Sequence, residues 1–203
     1  MSDKKAHWEK IYRTKDDYEV SWYQEVPKES LELVASLNLD KVNSKIIDIG
    51  GGNSNFTAEL LNQEYTDITL LDISQKALDR TKAKIGNKRV DYICSDVLEF
   101  QPIKNYTLWH DRAAFHFITD KGEIQKYIEL VCNSIDKGGY LILATFSTSG
   151  PLKCSGLEIT QYSKEALTNL FKKDFDLKQS FETVHQTPFD TEQNFIYSVF
   201  EKR

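Results

Sequence analysis

Short apolar runs alternate with amphipathic stretches over most of this chain. Runs beginning at Lys45, Asp67, Val90, Tyr106 and Tyr140 are rich in Ile, Leu, Val and aromatic residues, which suit a buried pleated surface. Between them, apolar positions recur at helical spacing: Phe56, Leu60 and Leu61, then Leu78 and Ile85, then Ile124, Ile128, Val131 and Ile135. Ser74 is placed to cap the second of these helices and Gly86 to stop it, while Asp136–Gly139 (DKGG) ends the third. Strands that alternate with helices predict right-handed crossovers, hence a doubly wound α/β fold with a parallel sheet and helices on both faces.

The pattern changes at both ends. Ser147–Thr160 reads as a loop and Ser163–Phe171 as a helix. Two extended runs follow, Phe175–Val184 and Phe195–Lys202, and the segment between them is too short for a crossover helix. They are expected to form an antiparallel hairpin. At the other end, residues 1–26 are polar with closely spaced aromatics, His7, Trp8, Tyr12, Tyr18, Trp22 and Tyr23. These need a surface to pack on, and a lid that walls a pocket is one such arrangement. Pro27 then suits a first helical turn, with Leu31, Val34 and Leu37 at helical spacing behind it. No repeat or linker is visible. The expectation is one domain over residues 1–203, with 1–39 an N-terminal helical lid.

The chain has 203 residues, net charge −5, 40% hydrophobic content and three cysteines, Cys94, Cys132 and Cys154, without metal-ligand spacing. The acidic balance argues against a nucleic-acid acceptor. There is no apolar leader and no run long enough to span a bilayer, so a cytoplasmic protein with reduced thiols is expected, without a metal.

The densest chemistry lies in Asp48–Ser54, DIGGGNS. Gly50, Gly51 and Gly52 let the backbone turn sharply and approach a ligand. Open α/β sheets bind ligands beyond the carboxyl ends of their strands. Acids sit at four such ends: Asp48, Asp72, Asp96 and Asp111. Asp72 lies 22 residues past Gly50, which matches the roughly 20-residue spacing of a carboxylate that accepts from both hydroxyls of a ribose. Asp96 is suited to an adenine amine. A dinucleotide fingerprint needs a third glycine where Asn55 stands, and Asp48 would repel a pyrophosphate. It favours a cationic ligand, an ammonium or a sulfonium.

This ordered set resembles the class I S-adenosylmethionine-dependent methyltransferases. Asp48–Ser54 is similar to their D/E-x-G-x-G-x-G motif, with Ser54 in the third glycine position. Asp72 matches the acid after their second strand, Ser95-Asp96-Val97 their adenine-binding turn, and Ser134–Leu141 (SIDKGGYL) the boundary before their fifth strand, with Lys137 replacing proline. The resemblance covers about residues 40–203. It implies a Rossmann-like seven-stranded sheet, mostly parallel with an antiparallel last strand. A smaller likeness, in the His7-Trp8, Ser21-Trp22-Tyr23, Trp109–Phe117 and Thr187-Pro188-Phe189 elements, points to a group of small bacterial methyltransferases and, loosely, to eukaryotic lysine-directed protein methyltransferases.

The implied cofactor is S-adenosyl-L-methionine. Asp48, Gly50, Gly51 and Gly52 would hold its methionine end, Asp72 the ribose, and Asp96, Val97 and Ile73 the adenine, with His110 and Trp22 also against it. On the acceptor side, His110, Asp111, Arg112 and His116 are the candidates. His116 is the candidate general base, since an ordinary imidazole titrates near neutrality. Arg112 suits a substrate carboxylate, or a salt bridge to a local acid. His185 is a third histidine near the hairpin loop. The acceptor, a small molecule or a protein side chain, is not legible, nor is the oligomeric state. A nicotinamide-dependent oxidoreductase and a non-catalytic cofactor-binding partner protein are the alternatives.

Overall fold

The computed structural model describes residues 3–86 and 89–203. Met1 and Ser2, from the stretch read as lacking a leader, and Asn87 and Lys88, after the Gly86 helix stop, lie outside the described residues. The apolar runs become β1 (Lys45–Ile49), β2 (Asp67–Asp72), β3 (Asp91–Cys94), β4 (Tyr106–Arg112) and β5 (Ile135–Phe146). A two-residue hairpin follows, β6 (Lys153–Cys154) and β7 (Leu157–Glu158), then the long strands β8 (Phe175–Gln186) and β9 (Glu192–Lys202). One seven-stranded sheet has the order β3-β2-β1-β4-β5-β9-β8. β1 to β5 pair in parallel, and β9 runs antiparallel between β5 and β8. The expected doubly wound sheet with its antiparallel last strand is the observed one.

Among the described residues, six α-helices accompany the strands: α1 (Asp3–Thr14), α2 (Lys28–Ser36), α3 (Phe56–Asn62), α4 (Gln75–Ile85), α5 (Lys121–Ser134) and α6 (Lys164–Phe171). Ser74 caps α4 by accepting from the Ala77 amide, and Ser163 caps α6 by accepting from the Ala166 amide. Alternate side chains of each strand enter opposite cores. Ile47, Ile49, Trp109, Leu141 and Phe200 pack with α5 and α6 through Tyr127, Val131, Leu167 and Phe171. Ile46, Leu108, Ile142, Tyr197 and Val199 pack with α2 and α3 through Leu31, Val34, Phe56 and Leu60.

Two boundaries differ from expectation. Asp136–Gly139 does not separate α5 from β5. Gly138 takes φ +76° there, the strand begins at Ile135, and its register with β4 shifts between Tyr106 and Leu108. Secondly, α2 packs on the sheet: Leu31, Leu33 and Val34 are core residues, because the apolar stripe expected for it faces that way. Residues up to Pro27 are the part that borders the cleft described next.

Candidate active site

The chain leaves β1 toward β2 on one side and places β4 on the other, so the carboxyl ends of these strands diverge around the glycine turn. A crevice of this kind is where open α/β sheets bind ligands. Gly50 has φ +65°, a left-handed conformation costly for other residues, and its amide donates to the Leu71 carbonyl at 2.8 Å. Gly51 and Gly52 are required by close approach. A Cβ on Gly51 would stand 2.0 Å from Asp48 Oδ2, and one on Gly52 would stand 2.6 Å from Asp72 Oδ2. The turn lacks side chains so that two carboxylates can tuck beneath it.

Asp72 points at the turn. Its Oδ2 accepts from the Gly52 amide at 3.0 Å and its Oδ1 from the Ser74 amide at 2.7 Å. Burial raises its pKa to about 6, against the pull of these amides and with a push from the charges of Asp48 and Glu9. Asp48 is buried too. Its Oδ1 meets His110 Nδ1 at 2.7 Å, its Oδ2 accepts from Thr57 Oγ1 at 3.4 Å, and His110 Nε2 meets Ser30 Oγ at 2.9 Å. The imidazole stacks on Phe56 at 3.9 Å. His110 is thus held from both nitrogens, and its visible effect is to fix Asp48.

A cleft of two joined lobes opens over the turn. The larger, about 860 Å³ counted to its open mouth, is lined by Asp72 and Ile73 after β2, by Ser95, Asp96, Val97 and Leu98 after β3, and by Arg112, Ala113 and Ala114 after β4. The smaller lobe reaches Asp48, Gly51, Asn53 and His110; Gly50, Tyr12, Trp22 and Arg112 border both. Asp96 caps the short turn after it by accepting from the Leu98 amide with Oδ1. Trp8 packs edge-on against Trp22 at 5.6 Å and Phe117 at 5.1 Å, and Tyr12 lies 6.3 Å from both tryptophans. The N-terminal segment is fastened at its polar edges: Glu9 accepts from the Gln75 amide at 2.6 Å, and Asp17 accepts from Asn53 at 2.5 Å and Lys84 at 2.7 Å.

The candidate residues around β4 are divided by the strand's pleat. His110 and Arg112 share the face that carries α2 and α3. Asp111 points to the other face, where it accepts from the Tyr127 hydroxyl at 2.6 Å and from the Ala114 and Phe115 amides. Burial raises its pKa to about 6 despite these donors. It does not border the cleft, so an acceptor-side role does not suit it, and it makes no salt bridge with Arg112. His116 is likewise corrected. It is fully buried against Phe146, and its Nδ1 accepts from the Phe146 amide at 3.4 Å. Burial, then the charge of Arg112, lowers its pKa to about 3. Out of the cleft and so weakly basic, it is unsuited to take a proton from an acceptor. His185 is not an exposed loop residue but a buried member of β8, and its Nε2 donates to the Ser21 carbonyl at 2.8 Å. Cys154 does reach the cleft wall, where burial raises its pKa to about 11 and keeps it a thiol.

Sequence reasoning missed two lining residues, Ala113 and Phe117, and one residue behind the lining, Tyr197. Ala113 takes φ +69° and turns the chain out of β4, Phe117 meets the lid, and Tyr197 holds Arg112 from β9. No periodicity announces a left-handed alanine or a contact across 85 residues. Among the described residues, no group of three His, Cys, Asp or Glu side chains is placed to hold a metal, and no helix is long and apolar enough to cross a membrane.

The family model described as "Methyltransferase domain" matches residues 40–202. The chain belongs to this methyltransferase-domain family. The match begins where the resemblance in the sequence begins, and it displaces the nicotinamide alternative. This methyltransferase domain is 31% identical to malonyl-[acyl-carrier protein] O-methyltransferase 2 of Ilyobacter polytropus over 103 residues, 50% of the chain and 39% of that relative's length. It is 24% identical to human EEF1A lysine methyltransferase 2 over 189 residues, 88% of the chain and 77% of that relative. Its fold superposes on a SAM-dependent methyltransferase from Anabaena variabilis with TM-score 0.77 at 17% identity, covering 100% of this chain and 96% of that one. The N-methyltransferase NodS of Bradyrhizobium japonicum, solved with S-adenosyl-L-homocysteine, superposes with TM-score 0.73 at 14% identity, covering 98% and 99%.

Proposed function

We propose that this methyltransferase domain transfers the methyl group of S-adenosyl-L-methionine to a small-molecule or protein side-chain acceptor. The observation that carries the reading is the pair of buried carboxylates, Asp48 and Asp72, packed under a glycine turn that no larger residue could form. When bound, the cofactor supplies a methyl group on a cationic sulfur, and the protein supplies position and electrostatics. Asp72, already anchored by two amides, offers its remaining lone pairs to the ribose diol. Asp96 keeps one oxygen for the adenine amine, with Ile73 and Val97 against the ring. Asp48, with Gly50 and Gly51, faces the smaller lobe and suits the methionine ammonium. Trp8, Tyr12 and Trp22 exclude water above the reacting atoms. Alignment of acceptor and methyl in line contributes up to about 7–11 kcal/mol of barrier reduction. With His116 and Asp111 turned away, proton removal from the acceptor falls to solvent or to the acceptor's own ionisation.

Calorimetric titration with S-adenosylhomocysteine tests the cofactor assignment. Asp72→Ala removes two charge-assisted hydrogen bonds worth about 1.5–3 kcal/mol each, so the dissociation constant should rise at least ~100-fold. An unchanged affinity defeats the ribose assignment. Acceptance from the diol needs the ionised carboxylate, so affinity should also fall as the pH drops through about 6, where Asp72 takes up its proton.

Residues 3–27 act, in this reading, as the lid of the cleft. It is fastened at Glu9 and Asp17, by Lys4 to Glu123, and through its Ser21 and Trp22 carbonyls to His185 and Arg112, so opening it breaks several polar contacts. Trp8→Ala, which removes the ring shared by Trp22 and Phe117, should raise the S-adenosylhomocysteine dissociation constant about tenfold, by loss of an aromatic contact area. Equal affinity would remove the lid from the binding site. The acceptor class is supported by two relatives, one named for malonyl-[acyl-carrier protein] and one for a lysine of EEF1A. A cytoplasmic location is inferred from the three free thiols, Cys94, Cys132 and Cys154.

A further inference from the structure

Among the described residues, Arg112 is the one Lys or Arg that borders both lobes of the cleft. Its Nε donates to the Tyr197 hydroxyl at 3.0 Å and its Nη1 to the Trp22 carbonyl at 3.0 Å. The guanidinium lies over the Phe195 ring, 4.8 Å from its centroid. Nη2 is buried and has no partner among the described residues. Among the described residues, no carboxylate forms an ion pair with Arg112; its sequence neighbour Asp111 is spent on Tyr127 and two amides on the other face of the sheet. The charge is felt by what surrounds it: after burial, it is the next cause that lowers the pKa of both His116 and His185. Both imidazoles are thereby kept from adding further positive charge.

Arg112 is half-buried, and a guanidinium nitrogen removed from water without an acceptor is costly unless a partner supplies the missing hydrogen bond. Here it is also held still. Tyr197 and Trp22 accept from Nε and Nη1, and Phe195 fixes the plane, which leaves Nη2 as the unpartnered donor of a residue that borders both lobes. A planar cation held in this way suits a carboxylate rather than a neutral amide.

We propose that Arg112 is the docking point for a ligand carboxylate in the methyl-transfer site. The proposal rests on the methyltransferase reading above and adds the chemistry that one of the ligands must carry. That carboxylate belongs either to the methionine tail of the cofactor or to the acceptor, and a single variant separates the two sources.

The test uses the full chain and Arg112→Gln, with Arg112→Lys as the charge-retaining variant. Three probes are titrated calorimetrically: S-adenosylhomocysteine, 5′-deoxy-5′-methylthioadenosine, which lacks the amino-acid tail, and succinate added to the S-adenosylhomocysteine-loaded protein, with succinamide as its neutral counterpart. If the cofactor supplies the carboxylate, Arg112→Gln weakens S-adenosylhomocysteine at least tenfold and leaves the tail-less nucleoside within twofold. If the acceptor supplies it, both nucleosides bind Arg112→Gln within twofold of wild type, and succinate, which binds the loaded wild type better than succinamide, loses that preference. In either case Arg112→Lys gives an intermediate effect, because charge remains without the fork. Retained nucleoside binding shows that each variant is folded. Arg112→Gln with unaltered affinity for S-adenosylhomocysteine and unaltered response to succinate overturns the inference while the methyltransferase reading stands. A wild-type protein that binds neither nucleoside overturns both.

Discussion

Gly51→Ala is expected to unfold this domain about 6–20 °C below wild type, although its backbone conformation is open to any residue. The reason is the neighbour. An added Cβ would lie 2.0 Å from Asp48 Oδ2, 2.4 Å from its Cγ and 2.9 Å from a Leu70 methyl. Leu70 can rotate away. Asp48 cannot, because its oxygens are engaged by His110 and Thr57 in a site that is almost wholly buried. Displacing it leaves a charge and an imidazole unpaired in the interior, and breaking a buried pair of this kind costs about 3–5 kcal/mol. Spread over a chain of this size, 1 kcal/mol corresponds to about 2–4 °C. The same substitution made in an Asp48→Ala background should cost at least about 1 kcal/mol less, since the atoms it would strike are gone. Additive effects of the two changes, or a Gly51→Ala midpoint within 2 °C of wild type (about the shift from 1 kcal/mol or less), would show that the carboxylate does not pack against the turn.

The second large effect is one of pH. His116 has a pKa of about 3 in the folded chain, depressed first by burial and then by the charge of Arg112. In the unfolded chain an imidazole titrates at about 6.5. Between these values the unfolded state holds a proton that the folded state refuses. The stability this histidine confers is therefore complete above about pH 6.5 and declines at up to about 1.4 kcal/mol per pH unit as the pH falls toward 3. Asp72 and Asp111 work in the opposite sense. Their pKa values are raised to about 6, so their contribution is complete below the ordinary carboxyl range near pH 4 and is lost as the pH rises through about 6. The wild-type curve mixes the two trends, and substitution separates them. Relative to wild type, His116→Phe should gain about 2 kcal/mol between pH 7.5 and pH 5, read from urea unfolding at each pH. The lost acceptor for the Phe146 amide weighs on both measurements alike and cancels. His116→Gln should show the same difference without the larger ring. Parallel wild-type and variant curves would mean that the imidazole protonates readily in place.

The layered order of the fold was legible because burial leaves a periodic trace. Five apolar runs separated by helical stripes admit few arrangements, and the short connection before Phe195 admits only a hairpin. Asp72 was legible by spacing, since a strand, a turn and a helix consume a near-constant length of chain between the glycine turn and the next strand end. Asp111 and His116 were misread for one reason. Side chains adjacent in sequence after a strand are not adjacent in space: the pleat sends His110 and Arg112 one way and Asp111 the other, and the turn at Ala113 carries His116 back into the core.

By itself, then, the sequence determined which elements form and which strand ends carry negative charge, because both depend on residues a few positions apart. Only the tertiary structure decided which of those charges face the cleft, that Arg112 stands there with no carboxylate paired to it among the described residues, and that its grip comes from Tyr197 and Trp22. Those facts depend on pairs separated by 85 and 90 residues. The direction of a side chain at such a meeting is fixed by packing, which no local pattern records.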